Sequence, residues 1–114
     1  MLTRVCVEAA AEAFGVPVAA IDGPARRAGI CRARFAAMRL ARDLGDLSTP
    51  QIGREIGGRD HTSVLNALAR AAALAEADPD FAVRLSAARS AARRRLGVGV
   101  DGTFYRHGSL GVAA

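Results

Sequence analysis

Arg59, Asp60, His61, Thr62 and Ser63 place a guanidinium, a carboxylate, an imidazole and two hydroxyls side by side, directly after the diglycine Gly57-Gly58. Val64, Leu65 and Leu68 follow at helical spacing, so a helix begins near Asp60 or His61 with its polar chemistry crowded into the first turn. One reading makes this an ordinary helix start. Asp60 or Thr62 then caps the orphan backbone N–H groups, while Arg59 and His61 are solvated. The other makes the glycine turn and its helix the second half of a helix-turn-helix, in which side chains at the start of the recognition helix meet base edges in the major groove. Acid–base catalysis by His61 beside Asp60 is a poor third reading. Neighbours at a helix start project in different directions, and no nucleophile or metal set accompanies them.

The elements around this stretch decide how it is read. Leu2, Val5, Cys6, Ala9, Ala10, Ala13 and Phe14 recur at three- and four-residue spacing and predict a first helix that Gly15 closes. Val16-Pro17-Val18 and Ile21 predict a short extended-to-helical turn. Gly23-Pro24-Ala25-Arg26-Arg27-Ala28-Gly29 has no apolar period and reads as a basic loop. A second helix is expected from Cys31 or Arg32 to Leu44, with Ala37, Met38, Leu40, Ala41 and Leu44 inward and Arg32, Arg34, Arg39 and Arg42 between them. Ser48-Thr49-Pro50-Gln51 has capping-box spacing with Pro in the first turn, which starts a short helix through Ile52 and Ile56. After the glycine turn, Val64, Leu65, Leu68, Ala72 and Ala75 are assigned to the inner face of the next helix. Short helix, glycine turn and longer helix is helix-turn-helix order. Asp78-Pro79 then caps and opens a last helix striped by Phe81, Leu85, Ala88, Ala92 and Leu96. Arg89, Arg93, Arg94 and Arg95 fall near its end, where positive charge suits the macrodipole. From Gly97 onward the chain is Gly-rich without a period, and a mobile tail is expected.

Composition narrows the function classes. In 114 residues there are four Phe, one Tyr and no Trp, and alanine dominates; this suits small-residue helix packing and disfavours a β-sandwich or barrel. An all-α fold is expected. The basic residues are all arginine, and the formal net charge is +5. The excess lies between Gly23 and Arg70, the segment that holds the polar helix start, as a nucleic-acid footprint would. Cys6 and Cys31 lack metal-ligand spacing and read as reduced, buried small hydrophobes. No apolar run is long enough to span a membrane, and Glu8 and Glu12 stand where a signal peptide would be apolar. A soluble cytoplasmic protein is expected, with no cofactor and no metal.

With these elements in order, the chain resembles the C-terminal DNA-binding domain of the bacterial replication initiator DnaA, a Trp-repressor-like helix-turn-helix. The resemblance runs from about Leu2 to Ala72 and is most specific from Leu47 to Leu65, where Gly57-Gly58-Arg59-Asp60-His61-Thr62-Ser63-Val64-Leu65 is close to the family signature. It implies that Asp60, His61 and Thr62 reach bases in the major groove. An Asp can accept from a cytosine amino group, and a Thr methyl can lie against a thymine methyl. It also implies that Arg26 enters a narrow A·T-rich minor groove, and that Arg34, Arg42, Thr49, Pro50, Ser63 and Arg70 touch the phosphate backbone. Arg27, Arg32 and Arg59 are further candidates for DNA contact. Phe35 and Thr49 depart from the family pattern, at positions often polar and Leu respectively.

The expected organisation is a DNA-binding domain over 1–76, a C-terminal helix over 77–96 and a tail over 97–114. No P-loop is present, so the function expected is sequence-specific binding of duplex DNA at an A·T-rich, DnaA-box-like site without ATPase activity. Its consequence would be competition with the initiator or regulation of transcription. The alternative is a helical adaptor that binds a protein partner, or itself, through the last helix, with DNA binding weakened.

Overall fold

The computed structural model describes residues 2–97, and among them every regular element is an α-helix. In order these are α1 (Leu2–Phe14), α2 (Val18–Asp22), α3 (Ala28–Gly45), α4 (Thr49–Glu55), α5 (His61–Ala77) and α6 (Pro79–Leu96). The tail expected over 97–114 lies, from residue 98 on, outside the described residues.

α1 is packed on two sides, by α3 and by α6. Its period predicts one apolar stripe, but Val7 and Ala11 are buried along with Cys6, Ala9 and Ala10. Alanines let the three helices approach closely: Ala33, Ala36, Ala37 and Ala41 of α3 and Ala88 and Ala92 of α6 all join the same core. Phe81 fills the widest gap, fully buried, with its ring 5.5 Å from that of Phe14. Burial of Cys6 in this seam pushes its thiol up to about 11, and both cysteines are free.

The last helix is part of this core. Its Phe81, Leu85, Ala88 and Ala92 stripe faces inward, so it is not an apolar surface free for a partner or a second copy. Its C-terminal arginines do more than complement the dipole. Arg95 pairs with Glu12 at 3.0 Å and Glu8 at 3.5 Å on α1, and Arg89 pairs with Asp43 of α3 at 3.1 Å. Asp78 ends α5 and begins α6, accepting from the Asp80 and Phe81 N–H groups, and its carboxylate also pairs with Arg32 at 2.6 Å.

α3 starts earlier than expected, at Ala28 rather than Cys31. The Cys31 N–H donates to the Arg27 carbonyl at 2.9 Å and closes a first turn that includes Gly29. Glycine reads as a breaker, but one residue in a first turn costs only about 1 kcal/mol against alanine. The inner face of α5 is also rotated from expectation. Val64, Ala67 and Ala71 are buried, whereas Leu65 is 53% exposed and Ala72 is exposed. Leu65 was assigned inward by hydrophobicity alone; the small residues on α5 let α3 and α4 approach the opposite side. No helix of the described residues is long and apolar enough to cross a membrane.

Candidate nucleic-acid interface

α4, the glycine turn and α5 are built around two points of close approach. At the first, the Arg59 N–H donates to the Gly53 carbonyl at 2.7 Å. A Cβ on Gly53 would stand 2.0 Å from the Arg59 carbonyl oxygen, so only glycine lets the turn lie against α4. The second is Gly57, whose φ of +78° favours glycine and whose Cβ position is taken by the Arg59 side chain and the Asp22 carbonyl. Gly53 was not singled out in the sequence. Its signal was a poor helix former in the middle of a short helix.

The helix starts are capped as their sequences predict. Ser48 Oγ accepts from the Gln51 N–H at 3.2 Å, but the Gln51 side chain donates to Glu55 instead of returning to the Ser48 backbone, so only half of the capping box forms. Asp60 is the N-cap of α5 and accepts from the Ser63 N–H at 2.9 Å. That bond holds its carboxyl below the usual carboxylate range. Asp60 therefore fulfils the ordinary capping reading, while its side chain remains at an exposed helix start. His61, Thr62 and Ser63 follow it in the first turn of α5, all exposed. Leu65 and Asn66, one turn further along, are exposed as well. Sequence reasoning missed both, because Leu65 looked like core and Asn66 had no partner in any pattern.

The basic loop lies across an open groove of about 570 Å³ from α5. Its lining includes Arg26 of the loop, Arg34 and Phe35 of α3, Arg59 of the glycine turn, and Ser63 and Asn66 of α5. Arg26 and Arg27 are exposed.

The other sequence-selected arginines divide sharply. Arg34, expected at the phosphate backbone, is only 7% exposed. Its guanidinium donates to the carbonyls of Ile21 at 2.8 Å and of Ala20, Gly23 and Ala25 at 3.0 Å each. These bonds use Nε and one terminal nitrogen to tie the side chain to the loop, while the residue also lines the groove. Arg59 is likewise drawn inward, donating to the carbonyls of Gly23 at 2.5 Å, Ile56 at 3.0 Å and Asp22 at 3.5 Å. Burial and the nearby Arg34 charge lower its pKa from the usual value, against an opposing pull from Asp22. Arg32 is held by Asp78. Both Arg34 and Arg59 carry charge that sequence counting assigns to a DNA footprint, and both build the protein.

Of the remaining candidates, Arg42 donates to the Leu47 carbonyl at 2.7 Å at the end of α3 and stays exposed. Thr49 is half-buried and Pro50 exposed at the start of α4. Arg70 lies over the Phe35 ring, 5.9 Å from its centre. The departure at Phe35 thus replaces a polar side chain with an aromatic platform for an arginine of α5. Among the described residues no cluster of His, Cys, Asp or Glu is arranged to hold a metal ion.

A family model described as the bacterial DnaA protein helix-turn-helix matches residues 5–70, more than half of the chain. The chain belongs to this family. Similar proteins include the chromosomal replication initiator protein DnaA of Mycoplasma capricolum subsp. capricolum, 48% identical over 60 residues, which is 53% of this chain and 13% of that protein. The DnaA of Neisseria meningitidis FAM18 is 37% identical over 78 residues, 68% of this chain and 15% of the relative. That of Crocosphaera subtropica is 40% identical over 83 residues, 73% and 18% respectively. The chain thus spans less than a fifth of the length of these relatives. The family match contains α4, the glycine turn and the start of α5, and ends before α6.

Proposed function

We propose that this protein binds double-stranded DNA at A·T-rich sites of the kind DnaA recognises, reading both grooves and catalysing no reaction. The observation that carries this reading is the groove lined both by Arg26 on the loop and by Ser63 in the exposed first turn of α5. The α5 N-terminus enters the major groove. His61 and Thr62 meet base edges, and Asp60 meets them beside its cap bond. Leu65 extends the same face by one turn, with apolar surface suited to a thymine methyl. Ser63 sits where the α5 N–H groups and dipole favour a phosphate. Arg26 enters the adjacent minor groove, whose negative potential is greatest in narrow A·T tracts, with Arg27 beside it. Arg42, Thr49, Pro50 and Arg70 approach the backbone and set register.

Such a protein competes with the initiator for its boxes, or controls a promoter that contains one, in the bacterial cytoplasm. The test is duplex binding measured over a range of salt. His61→Ala and Thr62→Ala each weaken a box duplex by about 5- to 150-fold, the equivalent of one good base contact, and leave a shuffled duplex nearly unchanged. Arg42→Ala weakens both alike and flattens the salt slope by about 0.9. Equal losses on both duplexes for His61→Ala and Thr62→Ala would reject base reading by α5.

A further inference from the structure

We infer that Arg59 is a positioning residue: by clasping the basic loop together with Arg34, it fixes Arg26 relative to the first turn of α5, so that the two grooves are read in register. This rests on the DNA-binding reading given above.

The argument begins with the loop. Residues 23–27 form no helix or strand, and their carbonyls need donors. Arg34 supplies several, including one to Ala25 at 3.0 Å, the carbonyl of the peptide unit that leads into Arg26. The Gly23 carbonyl is shared: it accepts from Arg34 at 3.0 Å and from Arg59 at 2.5 Å. Arg34 is rooted in α3, inside the same core as the loop's own anchor at Ile21. Arg59 is rooted elsewhere. It follows Gly58, precedes the N-cap Asp60, and its main chain is pinned to Gly53 of α4 at 2.7 Å. A second link runs in parallel, because Arg4 pairs with the Asp22 carboxylate at 2.8 and 3.0 Å and donates to the Glu55 carbonyl at 2.8 Å. It ends before the loop proper, whereas Arg59 reaches Gly23 itself.

A loop that had to be ordered on binding would lose affinity to conformational entropy. A clasped loop avoids that loss. The planar fork matters: a guanidinium can donate to Gly23, Ile56 and Asp22 from fixed directions, and an ammonium on a flexible stem cannot reproduce the set.

The experiment is a double-mutant cycle with Arg59→Met, Arg59→Lys and Arg26→Ala, on box and shuffled duplexes, with backbone order parameters for Ala25 to Arg27 measured on the free proteins. The Arg59 variants weaken box binding by about tenfold when Arg26 is present and by less than about twofold when it is alanine. In Arg59→Lys, which keeps the charge and is the milder change, the loop order parameters fall while those of α5 hold. Additive losses, or a loop as ordered in Arg59→Lys as in the wild type, would overturn the inference. If the wild type has no preference for a box, the functional reading fails, and the order parameters still decide whether Arg59 holds the loop.

Discussion

The outer and inner sides of the basic loop use the same residue type to opposite ends. Arg26 and Arg27 point to solvent from the loop, whereas Arg34 and Arg59 reach its underside and hydrogen-bond its carbonyls. In sequence all four are arginines in one positive segment. Charge alone therefore measures a field and does not say which side chains are free to meet a ligand. An arginine with several main-chain acceptors behaves as a structural cross-link, and one without them keeps its fork for a partner.

The comparison is broken most severely at Arg34. Arg34→Met leaves buried carbonyls without donors and lowers stability by about 3 kcal/mol or more, seen in denaturant unfolding; an unchanged midpoint would return Arg34 to the surface set. Arg26→Ala is the mirror image. It shifts unfolding by no more than about 0.5 kcal/mol yet weakens box binding by about tenfold or more, as loss of a groove contact should. At the glycine turn, Gly53→Ala drives a methyl into the Arg59 carbonyl and destabilises by about 1–3 kcal/mol, with box affinity falling as α5 is displaced; full stability and affinity would mean the turn has room after all.

Smaller effects sharpen the picture on α5. Replacing one thymine of the box with deoxyuridine removes a methyl group and weakens the wild type by about 1 kcal/mol or less, on the scale of one buried CH₂. Leu65→Ala abolishes that sensitivity if Leu65 touches the methyl. The weakest expected effect is in acid. The Asp60 carboxyl is held below its usual range in the folded state, so its cap contributes fully above about pH 3.9, the unfolded value. The contribution is lost as pH falls through the lower folded value. Asp60→Asn retains a capping oxygen, and the protection factor of the Ser63 amide, its exchange rate relative to an unstructured reference at the same pH, should then not change over this acid window.

The architecture was legible because its signals are local. Ser48, Asp60 and Asp78 each announce a helix start, Gly15 and Gly57 each mark a positive-φ turn, and all five positions behave as their types dictate. The chemistry of the helix start was legible for the same reason. Burial of long side chains was not. Whether Arg34 faces solvent depends on where the carbonyls of residues 20–25 end up, which no period along α3 encodes. Leu65 shows the reverse error: hydrophobic character placed it inside, yet the phase of α5 is set by Val64, Ala67 and Ala71, whose small side chains bring α3 and α4 close. The last helix was read correctly as a stripe, but which helix receives it was not, because contacts such as Phe81 with Phe14 join residues far apart in the chain.

The central claim is that this fold reads sequence in duplex DNA. It is tested most directly by the ratio of wild-type affinities for a box duplex and for a shuffled duplex of the same composition, at one fixed near-physiological salt concentration. The account predicts a ratio of about 10³ or more, as specific DNA-binding proteins show. A ratio near one, with both duplexes bound through charge alone, would contradict it.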